Sequence, residues 1–290
     1  MEEQKKAVRL MQKYIKEHIY EAISIDELAA ATSFSPWYAR KLFIKYLGMS
    51  PAVYVRRLKL SESALRLRDE NCHILDVAMD MGFGSVDGYQ RAFRREFGFN
   101  PREYANSPVP LWLFTPYFVS DTERKVENMS EIRTVFIQMI EKPARKVIIK
   151  RGIKATEYWS YCNEVGCDVW GLLKSIKSIS GEPVCLWLPA FLRKPAENEY
   201  VQGVEVEADY NGPIPEGFEI IDLPEASYLL FRGEPFAEED FEDAIGEIWD
   251  AEKKYNPEFL GYEWDNNNPK IQLEPIGNRG YIELMPIKKL

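Results

Sequence analysis

The chain has 290 residues, 46% hydrophobic and 29% charged, which is enough for two globular domains that each bury a core. It has no run of about 18 apolar residues, and its start, MEEQKKAVRL, lacks the apolar core of a signal peptide, so we expect a cytoplasmic protein. The net charge of -9 is unevenly divided, since residues 1–110 hold 17 basic against 14 acidic side chains and residues 111–290 hold 20 against 32. A basic first part suits contact with phosphates, and an acidic second part suits attraction of cations.

The first part of the chain is predicted to contain three helices. Residues 3–20 place apolar side chains about one turn apart, which predicts an amphipathic helix. Ser24 and Glu27 have the spacing of a capping box and predict the start of a second helix. A turn then leads to a third helix at Trp37–Tyr46. Its N-cap residue and predicted outward-facing residues are Ser35, Trp37, Tyr38, Arg40, Lys41 and Lys45.

The next stretch repeats this organisation. Pro51–Asp69 contains no glycine and predicts one continuous helix with proline in its first turn. Ile74–Met81 has helical spacing, Gly82-Phe83-Gly84 breaks the helix, and a further helix follows. A buried apolar face opposite long hydrogen-bonding side chains is what a helix in a DNA major groove needs, although an ordinary solvated helix shares that pattern. The cap and outward-facing residues of this helix are Ser85, Asp87, Gln90, Arg91, Arg94 and Arg95.

The two helix-turn-helix patterns are copies of each other. Residues match at a shift of 49 positions before Gly84 and of 50 positions after it, so one inserted glycine explains the change. Matching pairs after the insertion include Ser35 with Ser85, Phe43 with Phe93, Gly48 with Gly98, Pro51 with Pro101 and Tyr54 with Tyr104. A stiff connecting helix would hold two recognition helices about one turn of DNA apart, about 34 Å, so that a monomer reads two half-sites.

Residues 5–105 resemble the DNA-binding domain of the AraC/XylS family of bacterial transcription regulators. The residues that carry the resemblance are Gly82-Phe83, Tyr89, Arg91-Ala92-Phe93, Phe97-Gly98, Pro101 and Tyr104. The resemblance implies that Trp37, Arg40 and Lys41 face bases in the first unit, and that Asp87, Gln90 and Arg91 do so in the second. Asp87 either accepts a hydrogen bond from a cytosine or caps its own helix.

The domain boundary is predicted from composition. We expect an all-α DNA-binding domain at residues 1–106, a linker at 107–129 and a second domain at 130–290. Prolines exclude a helix in the linker, but its many aromatic and aliphatic residues indicate an extended segment docked on one domain. The charged stretch Asp121–Glu127 is the predicted flexible joint.

The second domain is predicted to contain two long helices, at Thr156–Ser178 and Glu238–Tyr255, among several strands. The predicted strands are Val135–Ile140, Lys146–Lys150, Val184–Leu188, Val201–Ala208, Ser227–Arg232, Lys270–Pro275 and Gly280–Pro286. The whole chain is therefore predicted to be multidomain, with the double helix-turn-helix domain followed by an α+β domain. Two strand-helix-strand-strand halves, a duplicated βαββ arrangement, would form one antiparallel sheet. We expect the helices to cover one face and a concave groove to lie on the other.

This half resembles the GyrI-like effector-binding domains in segments such as Gly203–Val206, Pro224–Tyr228 and Tyr281–Pro286. The resemblance implies a groove that binds a small apolar or cationic effector between aromatic walls and an acid, and it puts Glu274 at the acid's position. A carboxylate beside ring faces can hold a cation. The alternative is a surface glutamate with a local partner. The candidate wall residues, each of which can equally be core, are Tyr161, Trp170, Trp187, Tyr262 and Trp264.

Several functions compete at this level. The four cysteines lack CxxC spacing and there are two histidines, so no metal, cofactor or Ser-His-Asp site is predicted. The leading hypothesis is a ligand-responsive transcription regulator that is not an enzyme, with promoter DNA, an effector and RNA polymerase as partners. The sequence leaves activation or repression open, and the family resemblance favours activation. One alternative is a small-molecule hydrolase that uses Glu274 as the base. Another is a protein tethered to DNA whose second domain binds a protein partner.

Overall fold

The computed structural model describes residues 2–116, 134–195, 197–237 and 240–290. The chain divides into two units, Met1–Val126 and Glu127–Leu290. The aromatic residues Tyr117 and Phe118 and the predicted joint Asp121–Glu127 lie outside the described residues. Within the described ranges, no helix has the length and apolar character needed to cross a bilayer.

The described part of the first unit is helical. In chain order its helices are α1 (Glu2–Glu17), α2 (Ile25–Ala30), α3 (Pro36–Leu47), α4 (Pro51–Asp69), α5 (Ile74–Asp80), α6 (Val86–Phe97) and α7 (Pro101–Asn106). The prediction of one uninterrupted helix at Pro51–Asp69 is confirmed. The first helix ends earlier than predicted because residues 18–20 form a turn.

Helices α3 and α6 are built alike. Each has 12 residues and begins after a serine whose hydroxyl accepts a hydrogen bond from a backbone N–H in the first turn. Each ends at a glycine in the left-handed region, with φ of 71° at Gly48 and 83° at Gly98. Proline then opens the following helix in both copies, at Pro51 and Pro101. Glycine is the residue that adopts such a φ without strain, so both recognition helices stop at the same length.

Two hydrophobic cores support the two helix-turn-helix units. Phe43 and Tyr54 are buried in the first core, and Phe93 and Tyr104 occupy the matching positions in the second. Helix α4 contributes to both cores, because Tyr54 near its start packs in the first and Leu67 near its end packs in the second. The continuous helix therefore joins the two units through buried side chains.

The start of the predicted linker is part of the first unit. Leu111 and Leu113 are buried in the second core, and the ring of Phe114 packs against the first. The Phe114 N–H donates a hydrogen bond of 2.7 Å to the Ser61 hydroxyl on α4. The expectation of a docked extended segment is confirmed for residues 111–114.

The second unit combines helices with a sheet. Its strands are β1 (Phe136–Lys142), β2 (Arg145–Arg151), β3 (Val184–Trp187), β4 (Tyr200–Glu207), β5 (Glu219–Leu223), β6 (Ala226–Arg232), β7 (Tyr262–Trp264), β8 (Lys270–Gln272) and β9 (Ile282–Lys289). Its α-helices are α8 (Tyr158–Val165), α9 (Val169–Ser175) and α10 (Phe241–Lys254). The prediction of a single helix over Thr156–Ser178 is wrong, because Gly166, with φ of 112°, ends α8 before α9 begins. Strands β5 and β7 were not predicted.

All pairings in this sheet are antiparallel. The order is β1-β6-β9-β8-β3-β4-β2-β5, with β7 added beside β9. Strand β4 lies between β2 and β3, and β9 lies between β6 and β8. The two groups meet where β3 pairs with β8, at the centre of the sheet.

The sheet is strongly curved. Four strands separate β2 from β6 in the sheet order, yet the Arg145 guanidinium on β2 donates a 3.2 Å hydrogen bond to the Tyr228 hydroxyl on β6. On the face that carries Arg145 and Tyr228, the curved sheet encloses buried aliphatic side chains such as Val147, Leu186 and Leu284. The predicted concave groove on the face away from the helices is therefore wrong, since core side chains fill that face.

Candidate nucleic-acid interface and buried charge cluster

Helix α3 presents polar and aromatic side chains to solvent. The Ser35 hydroxyl accepts a hydrogen bond from the Tyr38 N–H and caps the helix. Trp37 is 71% exposed, and the Lys41 ammonium lies 5.3 Å from its ring centroid. Arg40 and Lys41 are exposed on the same helix, whereas Ala39, Leu42 and Phe43 are buried. This arrangement leaves a planar donor, an ammonium and an indole free to meet a duplex.

Two predicted outward-facing residues of α3 are held by helix α1. Tyr38 is half-buried, its ring edge packs against Phe34, and its hydroxyl accepts a 2.8 Å hydrogen bond from the Gln4 side chain. Lys45 is exposed, but its ammonium donates a 2.9 Å hydrogen bond to the side-chain amide oxygen of Gln4. Tyr38 thus departs from the expected outward set, because its ring fills the space between α1 and α3.

Helix α6 carries the second exposed set. The Ser85 hydroxyl accepts a 3.1 Å hydrogen bond from the Gly88 N–H, so Ser85 provides the side-chain cap. Asp87 is exposed in the first turn, where a carboxylate is favoured by the helix dipole. The three arginines are exposed and Gln90 is half-buried, while Tyr89, Ala92 and Phe93 form the buried face. The arginines are Arg91, Arg94 and Arg95.

Contacts from α4 hold the second helix-turn-helix unit. The Arg57 guanidinium donates a 2.6 Å hydrogen bond to the Glu96 carboxylate near the end of α6. The Lys59 ammonium donates a 2.8 Å hydrogen bond to the Glu21 carbonyl oxygen, and burial lowers the pKa of this lysine. A side chain at Gly82 would approach the same ammonium, so Lys59 also lies beside the turn of the second unit. Together with the buried cores, these contacts fix the positions of α3 and α6 relative to each other.

In the second unit, three polar residues and a buried cysteine lie side by side across the centre of the sheet. Gln202, Cys185, Gln272 and Glu283 are consecutive register partners on β4, β3, β8 and β9. Directly paired residues of antiparallel strands point to the same face, so these side chains form one polar row. The row shares its face with residues that pack under α8, α9 and α10. It therefore lies on the helix-bearing face and not on the face predicted for the groove.

Glu283 is the fully buried carboxylate of the polar row. The Trp249 indole N–H on α10 donates a 2.7 Å hydrogen bond to its Oε1, and the Tyr281 hydroxyl donates to the same oxygen. The Lys270 ammonium forms an ion pair with its other oxygen. Gly280, with φ of 82°, allows this strand to begin beside Gly233, whose carbonyl oxygen leaves no room for a side chain at position 280.

A second carboxylate completes a cluster around Lys270. The ammonium lies 2.8 Å from the Glu252 carboxylate on α10, 5.3 Å from the Trp187 ring centroid and 5.8 Å from the Trp249 ring centroid. We call these five residues the Lys270 cluster: Lys270, Glu252, Glu283, Trp187 and Trp249. It is an ammonium enclosed by two carboxylates and two indole rings.

The charges of the cluster are shifted by burial and by each other. Burial raises the pKa of Glu252 to about 8, and the Glu283 carboxylate contributes to the increase. Burial disfavours the Lys270 ammonium, but the two carboxylates outweigh it and raise the pKa of this lysine. Burial and the adjacent Glu283 also raise the pKa of Tyr281 well above its usual value. The ammonium therefore stays charged at neutral pH, and the Glu252 carboxyl binds its proton more tightly than an exposed glutamate does.

The predicted effector-site residues are dispersed. Glu274 lies beyond the end of β8 and is half-buried; its N–H donates a 3.1 Å hydrogen bond to Glu182. Tyr161 and Trp170 are buried in the core under α8 and α9, and the Tyr161 hydroxyl donates to a backbone carbonyl. Trp187 belongs to the Lys270 cluster. The remaining two are on the short strand β7 and pack in another core cluster: Tyr262 and Trp264.

Of the Lys270 cluster, only Trp187 was among the predicted site residues. One available signal was Glu252, which follows Ala244 and Ile248 at intervals of four on the buried stripe of α10. An acid on the buried side of an amphipathic helix indicates a partner inside the fold. Among the described residues, no group of three or more His, Cys, Asp or Glu side chains has a metal-binding arrangement.

Comparisons with known proteins match the first unit. Residues 28–107 match the family described as "Helix-turn-helix domain". Regulatory protein SoxS of Salmonella typhimurium is 33% identical over 97 residues, which cover 33% of this chain and 91% of SoxS. Right origin-binding protein of Escherichia coli is 33% identical over 95 residues, covering 33% of each chain.

Among solved structures, a probable AraC family transcriptional regulator from Rhodopseudomonas palustris is 28% identical, with a TM-score of 0.33 over 35% of this chain and 95% of that chain. The match to SoxS, at 33% identity, extends over nearly the whole of that relative. Through its first domain, the chain belongs to the AraC/XylS family of helix-turn-helix transcription regulators.

Proposed function

We propose that the protein is a sequence-specific transcription regulator whose first unit binds double-stranded promoter DNA and whose second unit binds a small effector. The observation that carries the first part is the pair of exposed faces on α3 and α6, which two buried cores and the shared helix α4 hold in one unit. The family resemblance favours activation, with RNA polymerase as a partner.

On DNA, the exposed faces of α3 and α6 would make different contacts. Arg40 on α3 and Arg91 on α6 can each donate two hydrogen bonds to a guanine, and Gln90 can pair with an adenine. Trp37 offers an apolar surface beside Lys41 to a thymine methyl group. The remaining arginines near the end of α6 suit phosphates, which fix the register of the protein on the duplex. They are Arg94 and Arg95.

We propose that the second unit is a duplicated βαββ domain. Support comes from the sheet order, because β2, β4 and β3 are arranged like β6, β9 and β8, and the two sets join at their equivalent strands β3 and β8. Each set is accompanied by helices from the segment between its first two strands. The proposed effector site lies on the polar row, where the two halves meet.

We further propose that the acid of this site is Glu283. Its carboxylate is buried on the polar row and accepts a hydrogen bond from the Trp249 indole, whereas Glu274 lies past the end of its strand. A buried carboxylate attracts a cation by Coulomb interaction, and nearby aromatic rings add contacts with the cation. The effector class that fits this chemistry is an apolar cation.

Calorimetric titration of the full-length protein with tetraphenylphosphonium tests the effector proposal. We expect saturable binding that Glu283→Gln weakens at least about tenfold, because the variant loses the anionic partner of the cation. Glu274→Gln is the matched control and should bind as the wild type does. Equal loss in both variants, or binding that neither variant changes, would remove Glu283 from the site.

A further inference from the structure

The Lys270 cluster is a cation site that the chain itself fills. Two indole rings and two carboxylates surround one ammonium, and the Lys270 side chain is 23% exposed while that of Glu283 is fully buried. Groups of this kind are what recognise organic ammonium ions. Here the ion is attached to β8, two residues before Gln272 of the polar row.

Electrostatics explain why the site is filled. Without Lys270, the buried Glu283 carboxylate would keep two neutral donors, from Trp249 and Tyr281, but no cation. An unpaired buried charge is costly, so the ammonium stabilises the folded state by its position. A second cation cannot share this position, because it would meet the ammonium at short range among the same partners.

We infer that Lys270 is a tethered competitor, and that a cationic effector enters the site by displacing its ammonium. This inference rests on the proposed effector-binding function. The flexible four-carbon stem and the partial exposure of Lys270 allow the ammonium to swing into water, where hydration compensates for the lost contacts. The effector's charge then replaces the ammonium beside Glu283.

The tether determines which cations bind. A ligand binds only those protein molecules whose site is free of the Lys270 ammonium. The apparent affinity is therefore the affinity of the free site multiplied by the fraction of protein molecules in that state. A small ammonium ion makes no contact with the rings that the Lys270 ammonium does not already make, so it does not displace that ammonium from the site. A cation with large apolar groups covers Trp187 and Trp249 in addition, which favours displacement. The site therefore selects lipophilic organic cations over small ones.

Displacement also alters helix α10. Lys270 links the sheet to this helix, because its ammonium contacts Glu252 on α10 and Glu283 on β9. When the ammonium leaves, the Glu252 carboxyl loses its cation, and the tie between α10 and β8 is broken. Ligand binding therefore removes one of the contacts that hold α10 against the sheet.

The first test compares Lys270→Met with the wild type in calorimetric titrations of the full-length protein. We expect the variant to bind tetraphenylphosphonium at least about tenfold more tightly and to bind tetramethylammonium measurably, because the competitor is gone. The double variant Lys270→Met, Glu283→Gln should lose this gain. Equal or weaker binding by Lys270→Met would overturn the inference, even if the wild type binds through Glu283 as proposed.

The second test uses the unaltered protein, so it does not depend on a variant that folds. Mass spectrometry follows acetylation of Lys270 by an acetyl ester of N-hydroxysuccinimide with and without tetraphenylphosphonium. Displacement predicts faster acetylation of Lys270 when ligand is bound and an unchanged rate at the exposed Lys253. Slower or unchanged acetylation at saturation would contradict displacement.

Outcomes with weak wild-type binding separate the two proposals. If Lys270→Met binds tetraphenylphosphonium and the wild type does not, the competitor role is supported and the wild-type protein fails as a receptor for that cation. If neither binds, both the tethered competitor and the proposed cation site are rejected.

Discussion

The Arg57 guanidinium on α4 joins the Glu96 carboxylate on α6 through a 2.6 Å hydrogen bond. The same guanidinium lies over the Phe114 ring, 4.7 Å from its centroid. A single side chain therefore connects α4, the end of α6 and the docked segment at residues 111–114. The orientation of α6 depends on this contact as well as on the buried core.

Replacing Arg57 should weaken that connection. Arg57→Met is expected to lower the free energy of unfolding by about 0.5 to 1 kcal/mol, since the ion pair is partly exposed and the contact with the ring adds a small contribution. Chemical denaturation of the full-length protein measures the change. Arg56→Met, on the same helix, is the control and should have a smaller effect; a larger effect in the control would mean that the Arg57 contacts do not stabilise the unit.

The candidate base-reading arginines make a separate prediction. Arg40→Ala and Arg91→Ala should each weaken binding to a DNA site selected from random sequence by about 1 to 3 kcal/mol at fixed salt. Lys253→Ala, an exposed position of the second unit, removes one positive charge without removing a predicted base contact. If this control loses as much affinity as the arginine variants, the arginines act through net charge alone.

The equivalent phenylalanines of the two cores should respond alike. Phe43 and Phe93 are fully buried at matching positions, so Phe43→Ala and Phe93→Ala should each cost about 3 to 5 kcal/mol of stability. Phe99→Ala, at a more exposed phenylalanine, should cost about 0.5 kcal/mol or less. Thermal unfolding measures the stability of the three variants. A small loss of stability in only one of the two core variants would show that the two helix-turn-helix units are not energetically equivalent.

The raised pKa of Glu252, about 8, predicts a dependence of stability on pH. Because the folded protein holds this proton more tightly than the unfolded chain does, the contribution is complete below pH of about 4.5 and is lost as the pH rises through about 8. The unfolding free energy should therefore decline between about pH 4.5 and pH 8 and level off above that range.

Glu252→Gln should flatten that decline, because the amide does not titrate. Thermal unfolding of both proteins across this pH range measures the difference. An identical slope in the variant would show that another group is responsible.

The first unit was largely predictable because its determinants are local. Serine caps, the glycines after each recognition helix and the apolar spacing specify α3 and α6 within about a dozen residues each. The inward position of Tyr38 was missed because it depends on Gln4 in α1, more than thirty residues earlier. A helical pattern identifies two faces, but it does not show where a neighbouring helix covers the edge between them.

Sequence patterns predicted less of the second unit than of the first. The elements were mostly recognised, but the filled face results from curvature that brings Arg145 to Tyr228 across four strands. Glu274 and Glu283 are nine positions apart in neighbouring extended segments, and only the register shows that Glu283 joins the polar row. Lys270 lies on a strand of three residues, which is too short to show an alternating pattern.

Nucleotide-resolution footprinting of the full-length protein on a selected DNA site tests the paired arrangement of α3 and α6 most directly. We predict two protected major-groove segments, one helical turn apart on one face of the duplex, bound by a single protein molecule. Arg40→Ala should weaken protection of one segment and Arg91→Ala that of the other. A single protected segment, or loss of the same segment in both variants, would contradict the arrangement.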